Sequence, residues 1–333
     1  MVAFQTKKIQ SLFAVIIVVV VILWLYQEDI FKISLLQEKT EPLVSINNEF
    51  KEKPYLEKIE NFLLREYSED QLLLHVIEAE TYLSYRDSPV QLLEIVATTY
   101  DKSQQEGLLL KSKRANITKL GKIIFTGKVN IVSKNGVSHQ LDTEELTFLK
   151  ENSQIKSDSK INYLGRNEKI TSQGMEMNQD SDNMYLNGEV KIKQDSGPII
   201  DTTNLFIDHY ADNKIYQSKG KTIYTSKDNV VSSEKGIDAD MNKNLLNLLG
   251  KVNILGVSGS TIDSYNLTID QSNGGEVFKS NDLVHYQATG VNIKAKKMYY
   301  DVIVKKIELI NGVSAVYESV SYTHLTLPTI YSV

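Results

Sequence analysis

A glycine recurs along this chain at a nearly constant interval, and no other feature restricts the fold as strongly. Gly127, Gly188, Gly250 and Gly312 are separated by 61, 62 and 62 residues. The first three open closely similar motifs, Gly-Lys-Val-Asn-Ile, Gly-Glu-Val-Lys-Ile and Gly-Lys-Val-Asn-Ile. A fixed interval of this length indicates a supersecondary unit that is copied and stacked. The interval therefore predicts a repeat array rather than a compact enzyme with one unique pocket.

A second motif keeps step with the first. It reads Leu-Asp-Thr-Glu-Glu-Leu from Leu141, Ile-Asp-Thr-Thr-Asn-Leu from Ile200 and Ile-Asp-Ser-Tyr-Asn-Leu from Ile262. We predict that the repeated glycine marks a bulge or bend in a strand and that the Asp-Thr/Ser pair opens a turn. Both motifs are interpreted as structural rather than catalytic. The fourth copy, after Gly312, is degraded because its apolar residues fall one place early.

Apolar and polar residues alternate around the repeated glycines. This period of two predicts antiparallel strands with one buried face and one wet face. Turn signals at short spacing divide each period into five or six short strands. Tyr55 to Tyr67 is predicted to form either a short helix or the first strand. The side chains that we expect to face the interior are Val129, Ile131, Leu186, Val190, Ile192, Leu246, Leu248, Val252 and Ile254.

Two states of that interior are compatible with the pattern. If the two sheet layers close tightly, the inner face is a packed core, and the pattern alone favours this arrangement. If the layers splay, the same face becomes a long apolar groove suited to acyl chains. At the ends of such an array the strand edges carry unpaired amide groups, which allow another β-protein to add on in register.

Composition excludes several classes of function. The net charge of −5 and a pI near 5.7 argue against a nucleic-acid partner, because such binding relies on clustered Lys and Arg. The chain has no cysteine, which excludes disulfides, thiolate metal sites and cysteine nucleophiles. The five histidines show no metal-ligand spacing. We therefore expect no metal and no cofactor.

The amino terminus carries an apolar run from Leu12 to Tyr26, preceded by Lys7 and Lys8. It predicts a transmembrane helix over residues 9–26, with residues 1–8 in the cytoplasm and the bulk of the chain across the membrane. The alternatives are a cleaved signal peptide, for which no small-x-small cleavage site follows the run, and a buried core segment. Residues 27–54 are polar and are interpreted as a tether.

Four segments resemble the LptC family of lipopolysaccharide export proteins: residues 77–85, 155–161, 170–178 and 184–190. The resemblance implies an elongated, OstA-like β-jelly roll of stacked antiparallel strands in the periplasm, held by a single-pass inner-membrane anchor. It implies that lipopolysaccharide is received from the inner-membrane ABC permease and ATPase complex and passed to the periplasmic OstA-like bridge protein. It implies no enzymatic activity and no catalytic residue.

The resemblance divides the chain into an LptC-like jelly roll over 55–197 and additional OstA-like repeats over 198–319. Residues 320–333 fit no copy of the repeat, are similar to a translated adapter sequence, and are expected to be non-native. Two other functions are considered. One is a membrane-anchored structural or adhesive β-solenoid with a closed core. The other is a carbohydrate-active β-helix enzyme, which requires a cluster of acidic or basic residues on one exposed face.

Overall fold

A computed structural model describes residues 55–317, apart from residues 69, 101–102, 119–121, 135–138, 150–153, 166, 179–182, 209–213 and 257. This part of the chain consists of strands and connecting turns, which confirms the all-β prediction for it. None of its residues forms a helix long and apolar enough to cross a membrane. The predicted transmembrane helix, the tether and the terminal tail lie outside the described residues.

The described residues form 24 strands, which pair with one another in antiparallel fashion. The strands are β1 (Glu57–Tyr67), β2 (Leu73–Ser84), β3 (Val90–Tyr100), β4 (Glu106–Ile117), β5 (Lys122–Ser133), β6 (Gln140–Leu149), β7 (Gln154–Ser157), β8 (Ile161–Leu164), β9 (Glu168–Ser172), β10 (Gly174–Asn178), β11 (Asn183–Gln194), β12 (Ile199–Asp208), β13 (Ile215–Ser218), β14 (Thr222–Thr225), β15 (Asn229–Ser233), β16 (Ile237–Asp240), β17 (Leu245–Gly256), β18 (Thr261–Asp270), β19 (Val277–Ser280), β20 (Val284–Ala288), β21 (Val291–Ala295), β22 (Lys297–Asp301), β23 (Lys306–Ile310) and β24 (Ser314–Tyr317). Tyr55 to Tyr67 therefore holds a strand, β1, and no helix.

These strands form two compact units. The first unit contains β1–β8 and β10, and the second contains β9 and β11–β24. Each long glycine-bearing strand is the sixth strand after the previous one, as from β5 to β11 and from β11 to β17. One sequence period is therefore one set of six strands.

In the second unit, each long strand serves two layers. The first half of β17 pairs with β16, and its second half pairs with β15. The neighbouring strand β18 divides in the same way between β20 and β19. We call the layer with β13, β16, β19, β22 and β23 the A layer, and the layer with β9, β14, β15, β20, β21 and β24 the B layer. Together they make a sandwich of the β-jelly-roll kind.

The repeated glycines lie where the long strands pass from one layer to the other, a line that we call the crease. Between β17 and β18 the register shifts from Leu248 to Lys251, and the bulge contains Gly250 at φ +78°. The amide of Gly250 donates to Asn266 Oδ1 at 3.0 Å, and the amide of Gly188 donates to Asn204 Oδ1 at 2.9 Å. The structure thus confirms that the glycine marks a bulge, and it shows that the asparagine of the second motif satisfies the freed amide.

The predicted turn at the Asp-Thr/Ser pair is wrong. This pair lies inside the long strands β6, β12 and β18, directly across from the glycine motif. Asn130 donates to Asp142 at 2.7 Å, and Asn253 donates to Asp263 at 2.9 Å. The two motifs recur together because they face each other on neighbouring strands, where such side-chain pairs stabilise a sheet.

Buried hydroxyl groups accompany the bulges along the crease. The oxygen atoms of Thr202 and Ser218 are 2.6 Å apart, and those of Ser264 and Ser280 are 2.7 Å apart. In the first unit, Thr143 and Ser157 form the equivalent pair at 3.0 Å. Several of these hydroxyls also donate to bulge carbonyls, such as Ser157 Oγ to the Glu145 carbonyl at 2.6 Å. They supply hydrogen bonds where the strand ladder is interrupted.

Each unit ends in an edge strand. In the first unit β1 pairs, among the described residues, with β2 alone. In the second unit β23 and β24 pair with β22 and β21 in the way that β17 pairs with β16 and β15. The degraded fourth copy is therefore one long strand broken in two at Gly312. All four residues of β24 are exposed.

The crease makes a testable prediction about Gly250. Gly250→Ala and Gly259→Ala both place a side chain at φ +78°, which costs about 1–2 kcal/mol. An added Cβ at Gly250 also lies 2.7 Å from Lys235 Cγ, whereas nothing lies within 4 Å of one at Gly259. We expect Gly250→Ala to lower the free energy of unfolding by about 1 kcal/mol more than Gly259→Ala, measured by urea denaturation. Equal losses would show that the crease is not tightly packed.

Candidate functional site

The interior between the layers is the candidate site. All nine side chains predicted to face inward are buried, and none exceeds 9% exposure. Val129 and Ile131 lie in the first unit, and the other seven lie in the second. The intervening lysines Lys128, Lys191 and Lys251 are exposed, as the alternation requires. The structure therefore places these side chains in the apolar interior of each unit; whether they contact lipid remains a prediction.

The interior of the second unit is closed to solvent in this structure. Leu248 and Val252 are completely buried, and so are Ile269 on β18 and Phe278 on β19. These side chains thus form a closed apolar interior. The side chains of this lining now contact one another, and they could make the same kind of apolar contact with an acyl chain.

One polar cluster joins the two layers of the second unit far from the crease, and we call it the Glu276 cluster. Tyr224, on β14 of the B layer, donates to Glu276 Oε1 at 2.6 Å. Gln271 donates to the same tyrosine hydroxyl at 2.9 Å. Burial and the nearby Glu276 raise the pKa of Tyr224, so the phenol keeps its proton and acts as the donor. Glu276 and Gln271 both lie at the A-layer end, next to β19 and β18.

A second cluster, the Glu168 cluster, joins the layers in the opposite direction. Tyr216, on β13 of the A layer, donates to Glu168 Oε1 at 2.8 Å. Lys214 Nζ lies 2.7 Å from the same oxygen atom. Glu168 is the first residue of β9 in the B layer and is only 4% exposed. Its charge is therefore buried but paired, which is the condition for a stable buried carboxylate.

The first unit carries an ionisable pair on the inner face of β1 and β2. His75 Nε2 and Glu66 Oε2 are 3.7 Å apart, which is too long for a strong hydrogen bond. Among the described residues, Glu66 Oε2 and His75 Nδ1 have no hydrogen-bond partner. Burial raises the pKa of Glu66 to about 7 and lowers the pKa of His75 to about 4. Both side chains are therefore mostly uncharged between about pH 4 and pH 7.

A cavity of about 630 Å³ lies at the crease of the first unit. Its lining differs from the interior because it combines carboxylates with ammonium groups: Glu78, Glu80, Glu94, Lys111, Lys113 and Lys128. All six of these residues are exposed. A cavity lined in this way does not suit an acyl chain, and we assign it no ligand. Across residues 55–317, apart from the gaps given above, no three His, Asp or Glu side chains come together as a metal site.

The His75–Glu66 pair predicts a specific pH dependence. Between pH 4.5 and 7 the folded state keeps a proton on Glu66 that the unfolded chain has released, so this carboxyl contributes less stability as pH rises. Between pH 6.5 and 4 the unfolded chain takes up a proton that folded His75 does not, so the imidazole contributes less stability as pH falls.

Two substitutions separate these effects. Glu66→Gln is expected to gain stability relative to the parent chain as pH rises from 4.5 to 7, and His75→Gln as pH falls from 6.5 to 4. Urea denaturation of both variants at several pH values measures the differences. Differences that do not vary with pH would contradict the assigned burial of the pair.

Comparison with known proteins adds one finding. The family described as "Lipopolysaccharide-assembly, LptC-related" matches residues 12–195 and again residues 207–318, so the match takes in both units. No individual curated protein matches the chain. The family is one of transport proteins rather than enzymes, in keeping with an interior that offers apolar contact. The chain belongs to the LptC-related family of lipopolysaccharide-assembly proteins, and this membership implies a role in lipopolysaccharide transport.

Proposed function

We propose that this chain is a membrane-anchored periplasmic component of lipopolysaccharide export. It receives lipopolysaccharide from the inner-membrane ABC permease and its ATPase, and it passes the lipid to the periplasmic OstA-like bridge protein. Residues 9–26 anchor it in the inner membrane as a single span, and residues 27–54 tether the folded units. The chain performs no chemistry on the lipid, and the energy comes from the ATPase.

The observation that carries this proposal is the aliphatic lining of each unit in a chain of the LptC-related family. The lining recurs with the sequence period, as with Val190 and Ile192 on β11 and with Val252 and Ile254 on β17. Moving an acyl chain out of the membrane requires an apolar environment, because exposure to water costs about 0.8 kcal/mol per CH₂ group. A lining that continues over several copies of the repeat provides an apolar environment along the whole length of an acyl chain.

A second candidate function is a structural or adhesive β-solenoid with a solid core. The complete burial of Leu248 and Val252 favours it, because a core needs no opening. The two candidates differ in what the interior contacts in the cell. A carrier contacts lipid at its inward positions during export, whereas a solid core contacts only protein.

Site-specific photo-crosslinking in cells tests this difference. We expect a diazirine analogue of an aliphatic side chain to capture lipopolysaccharide when placed at Val190, Ile192 or Ile254. The same probe at Lys191 or Lys251, the exposed neighbours on the same strands, serves as the matched control and should capture little. Equal capture at inward and outward positions, or capture at neither, would refute the lipid-carrier proposal.

We propose further that the edge of the second unit docks the bridge protein by strand addition. The edge strands β23 and β24 expose apolar side chains, with Ile310 42% and Val316 64% exposed. Among the described residues, β23 pairs only with β22 and β24 only with β21, and an apolar edge of this kind favours pairing with another sheet. In this arrangement the interior lining of one protein continues into that of the next.

Charged residues on the edge test the docking. Ile310→Lys and Val316→Lys together should abolish co-purification of the bridge protein, because lysine on an edge strand opposes strand addition. Leu63→Lys and Tyr67→Lys make the same change on β1, where Leu63 is 46% and Tyr67 55% exposed, and should leave the bridge bound. Loss of the bridge from the β1 variant alone would assign docking to the other edge.

A further inference from the structure

The two tyrosine clusters of the second unit lie away from the crease, toward the open ends of the layers. In β13, Ser218 bonds to Thr202 at the crease, and Tyr216 lies two residues farther along the strand. In β14, Thr222 bonds to Thr202 at 2.7 Å, and Tyr224 likewise lies two residues farther along. The margin of the sandwich opposite the crease, which we call the mouth, is therefore spanned by hydrogen bonds from tyrosines.

The clusters cross the mouth in opposite directions. Tyr224 reaches from the B layer to Glu276 at the A-layer margin, and Tyr216 reaches from the A layer to Glu168 at the B-layer margin. Neither cluster pairs strands within one layer. At the crease, the long strands themselves connect the two layers. At the mouth, these hydrogen bonds connect them.

Polar closure of the mouth differs physically from closure by apolar packing. A tyrosine hydroxyl and a carboxylate that separate at the margin exchange their mutual hydrogen bond for bonds to water, so the net change is much smaller than the energy of the bond itself. Glu276 Oε2 is buried and has no hydrogen-bond partner within the described residues, so this oxygen atom goes without a hydrogen bond while the mouth is closed. The apolar side chains deeper in the unit exchange contacts with one another for contacts with an acyl chain.

We propose that the Glu168 and Glu276 clusters are latches that close the mouth of the second unit, and that lipid enters its interior only when their tyrosine hydroxyl bonds break. This inference rests on the proposed lipid-carrier function. The latches keep the aliphatic lining away from water when no lipid is present, and they open at a hydrogen-bonded margin rather than through the crease.

Removing the two hydroxyl groups tests the latches. Tyr216→Phe with Tyr224→Phe keeps both rings in the interior and removes only the bonds across the mouth. With a diazirine side chain at Ile254, capture of lipopolysaccharide should rise at least tenfold, because the loss of one hydrogen bond to a charged group already changes an equilibrium by about that factor and this variant loses two. Tyr265→Phe is the matched control, because this tyrosine is 51% exposed and its hydroxyl contacts Lys235 at the surface; its capture should not change.

A second pair of variants covers the case in which the double phenylalanine variant does not fold, as judged by circular dichroism. Glu168→Gln with Glu276→Gln replaces each charged acceptor by a neutral one, and it should raise capture at Ile254 by a smaller factor. If a folded variant of either kind shows unchanged capture of lipopolysaccharide at Ile254, the latch proposal is wrong.

A probe at Val129, in the first unit, distinguishes this failure from failure of the proposed function. If Val129 captures lipid and Ile254 does not respond to the variants, the latch inference alone is wrong. If neither position captures lipid in any variant, the lipid-carrier proposal is wrong, and the latches lose their role with it.

Discussion

The passage of single strands from one layer to the other is the constraint on which each sandwich depends. A strand that changes layers interrupts its hydrogen-bond ladder, and the freed backbone groups need new partners. Here the glycine at the bulge adopts a positive φ, and an asparagine on the next strand accepts a hydrogen bond from the glycine amide. Buried hydroxyl groups form hydrogen bonds with one another and with carbonyl groups of the bulge. The bulge glycine and the hydroxyl pair recur in three successive periods, and the asparagine accompanies Gly188 and Gly250, which is why two separate motifs keep the same spacing.

The crease also determines where the proposed lipid path lies. Because every long strand bends at the same level, the aliphatic side chains on both of its halves point into one space between the layers. That space is bounded by the crease on one side and by the strand ends on the other. In the second unit the strand ends carry the Glu168 and Glu276 clusters, so the apolar lining and its polar closure both follow from the geometry of the crease.

Sequence reasoning was most accurate where the pattern is local. Alternation identified the inward side chains, such as Ile192 and Leu248, because the period of two follows from strand geometry. It also identified the repeated glycine as a bulge. It misplaced Asp201 and Asp263 in turns, because Asp-Thr and Asp-Ser are common in turns and the cross-strand partner that holds them in a strand lies about ten residues away.

The clusters at the mouth had no sequence signal at all. Tyr216 and Glu168 are 48 residues apart, and Tyr224 and Glu276 are 52 apart, so neither pair falls within a strand or a hairpin. Their contact depends on which layer each short strand joins. The same holds for Glu66 and His75, whose burial depends on the packing behind β1 and β2. The period and composition of the sequence predict which side chains line the interior. The residues that meet at the mouth depend on which layer each short strand joins.

The central claim is that the two layers separate at the mouth to admit lipid, and a distance across the mouth measures this directly. Because the chain has no native cysteine, Lys227→Cys and Asn273→Cys place a single pair of spin labels on exposed turns of opposite layers. Pulsed electron paramagnetic resonance then gives the distance between the labels in the full chain, with and without lipopolysaccharide. The account predicts a shift to longer distances when lipid is added, and an identical distance distribution in the two samples would contradict it.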